Sequence, residues 1–346
     1  MIAEKKLKIV CTGVAGFIGS HLARKLLSEG HEVIGVDNLS CGFRKNVEDL
    51  MSNVNFKFNT CDICDYKGML KFVKYHTLDV DLVYHLSARG ETWLCKEKPD
   101  VAVLVNVIGT INVLKLARDL KCKHFVFADT SAEYDGFPVN DENYPSTENM
   151  APIASDFGEL YSPMGNYSIT KMAAAAFVRS MGKEFGFSTT LFRPFNVYGP
   201  AVNIKRDIPP VIGAFIVKLL KNEQPIIYGD GSKRRDFIYI SDMIELLYRV
   251  IEYRLDKKDT QTFNAGTGDN YSVNEIYEII SEQLFGPTPP NVWIAPQYEG
   301  NKSYEAQVTL ADISKTRRYF SWSPKIGIEE GIAKTIESIR KLVLNS

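Results

Sequence analysis

The stretch LKIVCTGVAGFIGSHLARKLLSEGHEVIGVD, residues 7–37, decides how this chain reads. Its opening apolar run, 7–12, suits a short buried strand and leads into glycines at 13, 16 and 19. Residues 17–30 carry apolar side chains at helical spacing and stop at Gly30. Residues 31–37 form a second apolar run that ends in Asp37. Strand, glycine turn, helix, strand is the order of a crossover unit in a parallel sheet. Gly13, Gly16 and Gly19 allow the backbone to turn sharply and come close to a pyrophosphate. The helix start at Phe17 and Ile18 offers N–H groups and the positive end of a dipole. Asp37 lies about 20 residues on, where a carboxylate accepts from ribose hydroxyls and repels a 2′-phosphate. Together they point to a dinucleotide, NAD in preference to NADP. A tight turn for the glycines and a cap or turn role for Asp37 are the plain alternatives.

Outward from this unit the alternation continues. Apolar runs at 54–60, 81–87, 124–130 and 188–193 read as further strands, and helical spacing falls near 66–76, over 101–120 and over 164–186. This predicts an α/β fold, a Rossmann-type doubly wound parallel sheet with helices on both faces. After about residue 195 the pattern breaks into loops rich in Gly, Pro, Asn and Asp at 196–210, 228–236, 264–272 and 285–306. The expected division is a dinucleotide domain over 1–194, with a segment near 237–262 returning to it. A smaller mixed α/β lobe over 195–346 would take the second substrate.

Composition narrows the function. Of 346 residues, 45% are hydrophobic and 24% charged, as in ordinary globular chains. Lys plus Arg is 41 and Asp plus Glu is 42, so there is no basic footprint for nucleic acid. The first residues read as no signal peptide, and no run reads as a membrane span of about 18 apolar residues. Six cysteines are scattered, and Cys61-x-x-Cys64 has no second pair to complete a zinc site. Free thiols suit a reducing compartment, so a cytoplasmic location is expected. No residue cluster calls for a metal.

The second chemical feature is Tyr167-Ser168-Ile169-Thr170-Lys171. Residues i and i+4 share a helix face, and an ammonium beside a phenol favours phenolate. Free tyrosine titrates near pH 10, so a base at neutral pH needs about 4 kcal/mol of differential stabilisation. Lys171 and the positive nicotinamide ring would supply it. Without a dinucleotide nearby, the same spacing would read as a solvated lysine packed on an aromatic.

These motifs resemble those of the extended short-chain dehydrogenase/reductases, in particular UDP-glucose 4-epimerase-like nucleotide-sugar epimerases, dehydratases and decarboxylases. The resemblance spans essentially the whole chain. Thr12 to Gly19 is similar to the family's TGxxGxxG turn, and Val36 to Ser40 to its acid-ended second strand, so Asn38 joins Asp37 as a cofactor residue. Cys61-Asp62-Ile63 resembles the segment that touches adenine, and His85-Leu86-Ser87-Ala88 the HLAA segment beside the cofactor. Asn106 is implied in the same site. Tyr167 and Lys171 look like the catalytic YxxxK. Arg193 to Pro200 resembles RxxNVYGP, which makes Asn196 a substrate residue, and Tyr228 through Phe237 resembles YGDGxxxRDF, which adds Tyr228 and gives Arg235 a phosphate role. Ala311 to Lys315 is similar to ADISK. Ten residues before its Asp, where the family often has a phosphate-binding Arg, this chain has Lys302.

The resemblance implies NAD, a nucleotide-diphosphate sugar (UDP first, dTDP or GDP open) and a homodimer formed through the helices near 100–120 and 164–186. Its third catalytic residue, a Ser or Thr at the end of the fifth strand, falls on Thr130 by strand register and by distance to Tyr134. Counting back from Gly136 selects Ser131 instead. On the Thr130 register Ser131-Ala132 replaces the Asp-Glu pair of 4,6-dehydratases. On the Ser131 register Glu133 falls where decarboxylases carry a Glu. C4 epimerisation through a 4-keto intermediate is the leading expectation. A 4,6-dehydratase or UDP-glucuronate-type decarboxylase is the alternative, and a non-catalytic NAD-binding regulator is the remaining class.

Overall fold

The structure, a computed structural model, describes residues 6–134, 145–148, 150, 165–200, 209–254, 258–287, 293–300 and 306–344. Strands β1 (Lys8–Thr12), β2 (Glu32–Asp37), β3 (Phe56–Thr60), β4 (Leu82–His85), β5 (His124–Ala128) and β6 (Ser188–Pro194) join β11 (Thr260–Ala265) in one sheet. Its order is β11-β6-β5-β4-β1-β2-β3, and every pairing is parallel. The strands are near-continuous apolar runs because both faces are covered. In β1, Ile9 and Cys11 enter one core and Val10 the other, and in β5 Val126 opposes Phe125 and Phe127. Helices Tyr66–His76, Pro99–Asp119 and Asn166–Phe185 cover one face, and helices Phe17–Ser28 and Ile240–Tyr248 the other. Each Leu, Val or Phe so buried contributes about 1.5–3 kcal/mol. The winding reverses between β1 and β4, so a crevice opens beyond their carboxyl ends.

One expectation needs correction. Helix Pro99–Asp119 has 21 residues and is long and apolar enough to cross a bilayer by length and composition. Half of its apolar window is buried within the protein, where Val113, Leu114, Leu116 and Ala117 join the core. It is apolar because it lies between the sheet and a neighbouring helix. Its middle, Leu104–Gly109, widens into a π turn that buries Asn106. Such turns re-aim single side chains without ending the helix.

The second lobe is built from short strand pairs. β7 (Asn196–Tyr198) pairs with β10 (Phe237–Tyr239), β8 (Ile226–Tyr228) with β13 (Gln297–Glu299), and β9 (Arg234–Arg235) with β12 (Tyr271–Ser272). Asp236 ties these pieces together. Its buried carboxylate accepts from Thr267 N and Oγ1, each at 2.8 Å, from Gly268 N at 3.0 Å and from Ala311 N at 3.1 Å. The chain then returns to the large sheet. Helix Ile240–Tyr248 packs on helix Phe17–Ser28, and β11 extends the edge to Ala265, just past the expected limit near 262.

Candidate active site

The glycine turn follows β1 at the point where the winding reverses. Gly13 has φ +72° and donates to Val36 O at 2.8 Å. A Cβ on Gly13 would stand 2.8 Å from Ser87 N, in the loop after β4, and one on Gly19 would stand 2.1 Å from Gly13 O. The first glycine thus admits the facing loop, and the third lets the helix close onto the turn. Helix Phe17–Ser28 starts at Gly16 with no side-chain cap and no acid in its first turn, so its N-terminus is open to an anion. Asp37 is set by Ala15 N at 3.0 Å and Leu39 N at 2.8 Å.

One cavity brings Gly13, Gly16, Asp37, Asn38, Ile63, Leu86, Ser87 and Ala88 together. Its glycine cradle, open helix end and acid suit the diphosphate and ribose of NAD. Asp62 stands at the rim, bonded by Asn38 Nδ2 at 2.8 Å. Asn106 works from behind. Its amide carries Arg89 N at 2.7 Å and reaches Thr170 Oγ1 at 3.0 Å, so it holds the loop after β4 against the Tyr167 helix. Sequence reasoning missed Cys41, Arg89 and Val105, which line the same cavity. They sit in loops and in the π turn, where no periodicity marks them.

The catalytic candidates meet where β5 ends. Tyr167 lies in the first turn of helix Asn166–Phe185, and Lys171 lies one turn further along. The Thr130 hydroxyl lies near enough to the Tyr167 phenol to favour its ionised form. Thr130 Oγ1 also accepts from Ala132 N at 3.1 Å. Ser131 opens the short 3-10 turn Ser131–Tyr134 that follows. Lys171 is buried, donates to Ala128 O at 2.6 Å and stands 4.0 Å over the Phe127 ring. Burial lowers its ammonium to about 8, against the pull of Asp129 and Glu133.

The tyrosine departs from expectation. Burial pushes the Tyr167 phenol up to about 12; the nearby Thr130 hydroxyl opposes this, and the charges of Asp129 and Glu133 add to it. The chain's own groups therefore keep the phenol protonated at neutral pH, because Lys171 spends its short bond on a carbonyl and desolvation dominates.

Glu133 is also differently placed from a general acid facing the crevice. It is buried and pairs with Arg193 at 2.6 Å. Asp129 and Arg193, both unforeseen, complete that cluster.

In the second lobe, Asn196 Nδ2 donates to Asp236 O at 2.9 Å, and Arg235 Nη1 donates to Arg234 O at 2.9 Å and Gln307 O at 3.4 Å. Asn196 and Arg235 thus adjoin the Asp236 hub. Tyr228 closes β8 on a separate strand pair, partly exposed. Lys302 lies outside the described residues.

A dinucleotide crevice beside a Tyr/Lys/Thr set defines an enzyme that couples proton transfer to nicotinamide redox chemistry. Comparison with known proteins agrees. Residues 9–266 match the NAD-dependent epimerase/dehydratase family, to which this chain belongs. It is 34% identical over 333 residues to UDP-glucuronate 4-epimerase of Thermodesulfobacterium geofontis, covering 94% of each chain. It is 30% identical over 344 residues to UDP-glucuronic acid decarboxylase 1 of Arabidopsis thaliana, covering 99% of this chain and 72% of that one. A crystal structure of UDP-glucose 4-epimerase from Thermotoga maritima with UDP-glucose superposes with TM-score 0.82 at 28% identity, over 97% of this chain and 100% of that chain.

Proposed function

We propose that this protein interconverts UDP-sugars that differ in configuration at C4, by way of a 4-keto sugar. The observation that carries the reading is the meeting of Thr130, Tyr167 and Lys171 at the end of β5, beside the glycine turn. NAD bound in the crevice supplies the acceptor, and then the donor, for the hydrogen at C4. Tyr167 takes the proton of the 4-hydroxyl, Thr130 bridges hydroxyl and phenol, and Tyr167 returns the proton after the keto sugar has turned its other face. Lys171 favours the phenolate by proximity of charge. Arg235 and Asn196 would hold the diphosphate.

The uridine base comes from the relatives, which act on UDP-sugars. Incubation with UDP-, dTDP- and GDP-sugars, without added NAD, tests the reading by NMR of the products. Two C4 epimers at equilibrium support it. Carbon dioxide with a pentose product would establish the decarboxylase reading, which the Arabidopsis relative favours. A 4-keto-6-deoxy sugar would establish a dehydratase.

A homodimer fits the exposed apolar side chains Val103, Leu104 and Ile108 on helix Pro99–Asp119 and Ile169 and Phe177 on helix Asn166–Phe185. Light scattering of Leu104→Asp and Phe177→Asp variants tests it; a wild-type monomer would exclude it. The six cysteines, all thiols, fit work in a reducing compartment, the cytoplasm.

A further inference from the structure

Next to the Tyr167–Lys171 pair lies a buried charge cluster that the reaction as described does not use. Two carboxyls converge on the Arg193 guanidinium, Glu133 Oε2 at 2.6 Å from Nη2 and Asp129 Oδ2 at 3.4 Å from Nε. None of the three side chains is more than 3% exposed. Arg193 Nη1 donates to the Tyr134 hydroxyl at 2.9 Å, and Tyr134 donates to Asn264 Oδ1 at 2.7 Å. The second oxygens, Asp129 Oδ1 and Glu133 Oε1, are buried and meet no donor from any other group. The two carboxyls thus converge on one guanidinium, each with one buried oxygen that no donor among the described residues meets. Two such acceptors without a hydrogen are costly in a dry interior, and two like charges there repel. One proton between them removes both penalties, the arrangement of carboxyl dyads.

We propose that Asp129 and Glu133 share one proton, and that the pair thereby acts as a positioning element that leaves the Lys171 charge uncompensated beside Tyr167.

The charge count explains the consequence. With both carboxyls ionised, they cancel Arg193 and Lys171. With one proton shared, the cluster keeps one positive charge, and a phenolate on Tyr167 is favoured. Burial, with the Asp129 charge adding to it, pushes Glu133 up to about 8. The charged and titratable groups around Glu133 are Arg193 from β6, Asp129 after β5, Tyr134 in its own turn, and Tyr167, Lys171 and Arg179 from helix Asn166–Phe185. Glu148 acts on Tyr134 from the adjoining loop, and Lys315 approaches Arg193. Above about pH 8 the pair loses its proton, and its second negative charge opposes the phenolate. Activity should then fall on the alkaline side.

The inference rests on Tyr167 being the base, so the test has one arm independent of turnover. Infrared difference spectra of the wild-type protein should show a D2O-sensitive carboxylic acid band at neutral pH that disappears near pH 8. The band should be missing from Glu133→Gln and from Asp129→Asn. Subtracting the variant spectra removes Asp236, whose carboxyl burial raises to about 6. If the wild type has no such band, the shared proton is overturned, whatever the enzyme turns over. The second arm is the pH profile of kcat on the sugar identified by the NMR panel. In Glu133→Gln the pair can no longer ionise, so the alkaline limb should follow a single ionisation, that of Lys171, where the wild type follows two. Coincident limbs would overturn the positioning role while leaving epimerisation intact. If no sugar turns over, the proposed function fails separately, and tyrosinate absorbance (wild type minus Tyr167→Phe) replaces kcat. In that arm Glu133→Gln should ionise Tyr167 at lower pH, and an unchanged midpoint overturns the role.

Discussion

The Lys171 ammonium is held by the Ala128 carbonyl, 2.6 Å away, at the carboxyl end of the strand that leads to Thr130. One buried side chain therefore fixes the Tyr167 helix to the end of β5. Lys171→Met should lower kcat by about 10²–10⁴-fold. Lys171→Arg should not restore it, because a guanidinium is too broad for the space between the carbonyl and the Phe127 ring. Steady-state kinetics beside circular dichroism would check this; a fully active Lys171→Met would remove the lysine from the mechanism.

Thr130 and Ser131 can be separated by substitution. Thr130→Val removes the hydroxyl nearest the Tyr167 phenol and should lower kcat by about 10–100-fold, the value of one to two hydrogen-bond energies at the reacting centre. Ser131→Ala should stay within about threefold, since such a substitution leaves the Thr130 hydroxyl in place. The reverse ranking would move the catalytic hydroxyl to Ser131.

The glycine turn predicts a cofactor defect of steric origin. Gly19→Ala places a methyl group 2.1 Å from Gly13 O, and the turn must open to admit it. NAD affinity measured by calorimetry should fall more than about tenfold, with a stability loss of about 1–3 kcal/mol. Unchanged affinity would mean that the turn does not carry the pyrophosphate.

Asp236 offers a defect confined to the sugar lobe. Asp236→Ala removes the acceptor shared by Thr267, Gly268 and Ala311, at a cost of about 3 kcal/mol. KM for the UDP-sugar should rise while NAD affinity holds, as read by parallel titrations. Loss of NAD binding alone would contradict the separation of the two sites.

Two histidines predict acid sensitivity. Burial pushes His85 and His124 each down to about 3, with Lys171 lowering His85 further and Arg254 lowering His124 further. Their folded values lie below the unfolded value near 6.5. Their contribution to stability is present above that value and is lost as pH falls through about 3. Nitrogen NMR should find both imidazoles neutral at about pH 5, and thermal midpoints should decline below about pH 6.5. An imidazolium at either position at pH 5 would refute the assignment.

The order of layers was legible because local pattern and global fold agree. A buried parallel strand needs an apolar run, and its crossover helix needs one apolar stripe, so residues 7–37 announce the sheet by themselves. Glycine was legible at 13 and 19 because no other residue fits where backbones nearly touch. Tyr167 and Lys171 were legible because four residues make one helical turn. The apolarity of helix Pro99–Asp119 is that of a core helix here, since a span and a core helix differ only in what surrounds them.

What sequence spacing could not supply is any relation that crosses the sheet. Thr130 or Ser131 was a matter of one residue in register, and only the fold brings a phenol 37 positions away close to Thr130. Asp129 and Glu133 follow β5 and Arg193 lies on β6, and only the pairing of β5 with β6 buries them on one another. Burial itself is a tertiary quantity, so the rise of the tyrosine and the fall of the lysine could not be read from residue types. The sequence by itself determined the layers, the cofactor turn and the helical catalytic pair, because each follows from local geometry. The tertiary structure decided which hydroxyl meets the phenol and which charges lie buried beside it, because those depend on the distance and desolvation that packing alone creates.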